Sequence, residues 1–182
     1  VKFLTQDQLN ALLLADEWWR PIFQVYSGTG MRRGEGTGLT WENVTLTLRP
    51  VPQIETALEQ AERLLNPYAS VSIRVWQTMQ DCLRSAQHPN AWRIVKHTKT
   101  KSSKRTIVFK DPALAGVFAQ LGRRTETMKE EATALCKGLQ HKSATGAPCS
   151  ACWQDSGHVM VRENGRPISA RVVYHNFKKH WK

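Results

Sequence analysis

The sequence predicts an α+β fold: a mainly helical domain with a small antiparallel sheet and a basic β-hairpin. Three observations lead there. Apolar residues recur at helical spacing along much of the chain, as in Leu9, Leu12 and Leu13, or Leu114, Val117, Phe118 and Leu121. Alternating, strand-like runs are short and few: "WENVTLTL", "WRIV" and "RTIVF". The 182 residues are 41% hydrophobic, enough for one domain with a core. No apolar run approaches the roughly 20 residues of a membrane span, and no signal peptide opens the chain. A soluble, cytoplasmic protein without a membrane partner is expected.

In chain order, Thr5 is a candidate N-cap for a first helix. A second should cover "DEWWRPIFQVYSG", with Ile22, Phe23 and Tyr26 at core spacing and Pro21 kinking it or marking its first turn. Gly28 and Gly30 end that helix. A short helix is expected from Arg32 to Leu39, then a strand with Val44, Leu46 and Leu48 on one face. Ile54, Leu58, Ala61 and Leu65 make a helical stripe, expected to pack on the core. "NPY" breaks it, and residues 70–87 read as helical again, so residues 50–90 look like an inserted helical hairpin. "WRIV" and "RTIVF" read as the two strands of a hairpin turning at "TKSS". "DPALAGVFAQLGRR" has an Asp-Pro helix start, and residues 123–139 continue as a polar helix. "HVMV" is a short strand, "RENGRP" a turn, and "SARVVYHNFKKHWK" a final helix capped by Ser169, with Tyr174 expected in the core beside Phe177 and Trp181.

The formal charge is +11. That balance suits nucleic acid, an anionic surface or an acidic partner. Seven Lys/Arg and no acid lie between Arg93 and Lys110, at positions 93, 96, 99, 101, 104, 105 and 110. Cations on a two-stranded ribbon reach phosphates or enter a groove, whereas the plain alternative is a solvated hairpin. The glycines of "SGTGMRRGEGTG" do not form a P-loop, because the terminal Gly-Lys-Ser/Thr is missing. Of four cysteines, Cys149 and Cys152 form "CSAC", flanked by His141 and His158. They are weak zinc candidates, since the spacing matches no common finger, and packed thiols are the plain alternative.

The order of these features resembles a known family. "TGMRRGEGTGLTWENVTL" is similar to the first catalytic block of the tyrosine recombinases, the phage-integrase family, through Thr29, Gly30, Met31, Arg32, Glu35, Gly38, Leu39 and Trp41. "KTKSSKRTIVF" resembles the family's lysine-bearing β-hairpin. "HVMVRENGRPIS" resembles the stretch before its second catalytic block, and "FLTQDQLNALL" the start of its catalytic domain.

The resemblance implies a partial catalytic domain spanning residues 1–182, in an enzyme that integrates or recombines DNA by phosphodiester transesterification. Arg32 would bind the scissile phosphate, since a guanidinium fork meets two oxygens and keeps its charge. Glu35 would support it. Lys99 is the better match to the proton-donating lysine and Lys101 its rival. Arg33, Lys96, Lys101, Lys104 and Arg105 would contact DNA. The partner implied is double-stranded DNA, with self-association on DNA in the full-length protein, and no metal or other cofactor takes part. A bacterial or phage-encoded, nucleoid-associated protein is expected. The family's His-x-x-Arg block and its tyrosine nucleophile have no match in these residues. The fragment alone is therefore expected to bind DNA without cleaving it. Two alternatives stay open: a non-catalytic DNA-binding remnant of an integrase, and a zinc-stabilised interaction module.

Overall fold

The structure, a computed structural model, describes residues 5–14, 16–82, 92–95, 104–137 and 152–181. It has the α+β architecture. At its centre lies β2 (Tyr68–Val75), flanked by β1 (Val44–Leu48) and β5 (Arg105–Phe109) in a three-stranded antiparallel sheet. Side chains alternate across a strand, so Val71, Ile73 and Val75 share one face and are buried. Register carries that face across the sheet: Val44 lies opposite Ile73, Leu46 opposite Val71, Ile107 opposite Ile73 and Phe109 opposite Val71.

This sheet corrects two expectations. Residues 70–81 are not a second helix of an insertion; they form β2 and β3 (Thr78–Asp81). "VSIRV" alternates with period two and places β-branched residues at its inward positions, which suits a buried central strand. The two basic strands do form, as β4 (Trp92–Val95) and β5, but they do not pair with each other. Instead β4 pairs with β3, Thr78 lying opposite Val95, and β5 pairs with β2. The chain thus runs out along β2 and β3 and returns along β4 and β5. The outward path joins its two lengths through Trp76 and Gln77. The "TKSS" turn lies outside the described residues.

The buried face is covered by α5 (Pro112–Lys137), and α2 (Arg20–Thr29) packs on α5. Ile22, Val25, Leu114, Ala115 and Phe118 join Val71, Ile73 and Val75 in one buried cluster. Pro21 sits in the first turn of α2, where its missing N–H costs nothing. The Asp111 carboxylate accepts the Ala113 and Leu114 N–H groups at 2.9 and 3.3 Å and starts α5. α1 (Gln6–Leu13) adds Leu12 to the interior, and α6 (Ala170–Trp181) adds Val173. Ser169 Oγ accepts the Val172 N–H at 3.4 Å at the start of α6. The "HVMV" segment makes isolated bridges, Thr40 to His158 and Val161 to Pro167, and Val159, Met160 and Val161 are all buried.

Two apolar expectations fail at the surface. α4 (Ala57–Leu65) forms, capped by Thr56 and Glu59 and tied by Arg63 to Glu55 at 2.8 Å, but none of its residues is buried. Leu58 is 70% exposed. α5 already packs against β2, so the Ile54–Leu58–Leu65 stripe has no core to enter. Leu48 leaves the face it shares in sequence with Val44 and Leu46, because the register shifts between Thr47 and Leu48.

Candidate nucleic-acid interface

The arginine bend is built by backbone geometry. Gly30 ends α2 in the left-handed region at φ 62°, its N–H bonded to the Tyr26 carbonyl. Met31 is buried and anchors the bend. Arg32 is extended, at φ −63° and ψ 148°, and exposed; α3 (Arg33–Thr37) begins at its neighbour. α3 lies almost against the backbone of β3. A Cβ on Gly34 would fall 2.6 Å from the Met79 carbonyl oxygen, and one on Gly38 2.8 Å from the Met79 nitrogen. Only glycine fits that approach. The buried Gln77 amide donates to the Gly38 carbonyl and fastens the far end of α3.

Glu35 sits behind the bend, 4% exposed. Its carboxylate accepts the Arg32 backbone N–H at 3.0 Å and both terminal nitrogens of Arg105, at 3.2 and 2.9 Å. Arg105 can meet it because β5 alternates: Arg105 follows Phe109 and Ile107 along the inward row, opposite Val75. Burial pushes the Glu35 carboxyl up, but the Arg105 hydrogen bonds, the Arg32 N–H and the charges of both arginines outweigh it, so its pKa lies below the ordinary value. Glu35 therefore holds Arg32 through the main chain, while its ion pair is with Arg105.

Arg33 is exposed, and its guanidinium lies 5.1 Å from the Tyr174 ring centroid. Lys178 approaches the same ring at 4.7 Å. Tyr174 is thus not a core residue: it is 41% exposed and serves as a platform for two cations. Tyr26 donates its phenol proton to the Arg33 carbonyl at 2.8 Å, and burial pushes its pKa well above the ordinary range. It fixes the bend and keeps its proton. Lys104 is exposed, its Nζ 5.6 Å from the ring of the partly exposed Trp76. Lys96, Lys99 and Lys101 lie outside the described residues, as do Cys149 and His141.

Cys152 meets Cys136 of α5, with the sulfurs 2.9 Å apart. His158 is buried and its Nδ1–H donates to the Ser156 carbonyl at 2.8 Å; burial pulls its pKa below the usual imidazole value. Among the described residues no group of three or more His, Cys, Asp or Glu is placed to hold a metal ion. No helix among them is long and apolar enough to cross a membrane.

The arrangement unites two motifs 70 residues apart, the arginine bend and the end of the basic segment. Its chemistry suits a polyanion: exposed guanidinium and ammonium groups on a backbone held by buried contacts. Sequence reasoning missed the Glu35–Arg105 pair. The signal was present, since Arg105 is in phase with Ile107 and Phe109. The Cys136–Cys152 contact has no such signal, because no spacing rule links residues 16 apart. Comparison with family models, curated proteins and solved structures finds no match to this chain.

Proposed function

We propose that this chain is the DNA-contacting, phosphate-binding part of a site-specific tyrosine recombinase or integrase. The observation that carries the reading is the Glu35–Arg105 pair, which ties the Arg32 bend to the base of the lysine-rich segment. In this reading Arg32 presents its fork to the non-bridging oxygens of the scissile phosphate and stabilises the charge that builds there. Lys99, or Lys101, donates a proton to the leaving 5′-oxygen. A tyrosine, which these residues do not identify, attacks the phosphorus and forms a 3′-phosphotyrosyl link. Arg33 and Lys104, exposed and seated against aromatic rings, would contact neighbouring phosphates.

Binding to a fluorescent DNA duplex tests the partner. Neutralising four or five phosphates weakens affinity about 10²–10³-fold between 50 and 200 mM salt. Arg32→Ala should weaken binding several-fold at the lower salt. Absence of binding at 50 mM salt, or binding indifferent to salt, would sink the proposal. The coding sequence beyond Lys182 tests the chemistry: His-x-x-Arg followed by a tyrosine supports a recombinase, and an immediate stop codon leaves a DNA-binding remnant.

A further inference from the structure

We infer that Cys136 and Cys152 are a site of oxidative modification, closing to an intramolecular disulfide when a peroxide is supplied. The two sulfurs stand 2.9 Å apart, from the last turn of α5 to the segment that follows residues 138–151. Two thiolates on one zinc, each about 2.3 Å from the metal, sit about 3.8 Å apart in a tetrahedron. The observed separation is shorter than that and lies about midway to the ~2.0 Å of a disulfide bond, within reach of closure by small side-chain rotations. Both residues are half-buried, so a small oxidant has access.

The contact is not isolated. Lys129 lies two helical turns before Cys136, on the same face of α5, and its Nζ is 3.7 Å from Asp155, three residues after Cys152. The helix and the 152–155 segment therefore run alongside each other at two points. Closure needs only a short movement of two side chains.

The chemistry balances with hydrogen peroxide as oxidant. One thiolate attacks a peroxide oxygen; the O–O bond breaks, a sulfenic acid forms and hydroxide leaves as water. The second thiolate attacks the sulfenic sulfur, the S–S bond forms, the S–O bond breaks and a second water leaves. Two sulfurs are oxidised and two peroxide oxygens reduced. This modification is independent of the DNA-binding proposal.

The test uses the full chain, reduced and freed of reductant, then exposed to stoichiometric hydrogen peroxide. Titratable thiols should fall from the four in the sequence to two. Non-reducing peptide mapping should recover the Cys136-containing peptide linked to the Cys152-containing one. Cys149→Ser and Cys82→Ser should leave that link intact, and Cys136→Ser should abolish it. A Cys149–Cys152 link, a link to Cys82 or no link overturns the inference. So does about one zinc per chain that protects the thiols from peroxide until a chelator removes it.

Discussion

Glu35 is a buried carboxylate with three donors on it, and its position explains why the arginine bend keeps one shape. Glu35→Gln keeps the volume but removes the charge that Arg105 faces. Because Arg105 is partly exposed, water compensates in part, and the expected cost is about 1–2 kcal/mol. The pH dependence has a definite sign. Folding lowers the Glu35 pKa from its ordinary 4.5, so its contribution is complete above that value and drains away as pH falls through the lower, folded-state pKa. Thermal melts should therefore separate wild type from Glu35→Gln at neutral pH and converge in acid. A gap unchanged down to pH 3 would show that the carboxylate charge contributes nothing. Arg32 is a different case: its side chain is exposed, so Arg32→Ala should alter binding to DNA far more than it alters the melt.

Among the elements, α3 has the tightest seating. Gly38→Ala would drive a methyl against the Met79 nitrogen, and neither α3 nor β3 can retreat without disturbing the Gln77–Gly38 bond. A loss of about 2–3 kcal/mol is expected by denaturant unfolding. α4 gives the opposite expectation. Leu58→Gln should change stability by less than about 0.5 kcal/mol, because the side chain already faces water. The contrast also shows what was legible in the sequence. α1, α2, α5 and α6 were readable, because caps such as Asp111 and Ser169 and clear apolar periods agree with their tertiary setting. The presence of α4 and its end at "NPY" were readable but its burial was not, since a stripe of leucines does not say which faces of the sheet are already covered. Strands β4 and β5 could be located from "WRIV" and "RTIVF", but their partners could not. Pairing is a long-range choice, and the local appeal of a hairpin turn misstates it. At the site, Arg32 and Glu35 stood out by spacing, while the role of Arg105 depended on which face of β5 is buried.

At the scale of the whole molecule, a helical layer and one end of a basic, two-stranded excursion meet at the arginine bend. On the excursion's outward side only Trp76 and Gln77 separate β2 from β3, and residues 96–103 of its return lie outside the described residues. Register is set by β2 with β5 and by β3 with β4, each through its own ladder. Neither described ladder includes a residue between Val95 and Arg105. Loop-closure entropy changes slowly with length, by about 0.6 kcal/mol per doubling. Deleting Ser102 and Ser103 should leave the unfolding free energy within about 0.5 kcal/mol of wild type, and a larger loss would mean that the segment helps to hold the sheets. If that deletion is neutral, the cations around the proposed proton donor can change in spacing, and so retune contact with a polyanion, while the interior stays untouched.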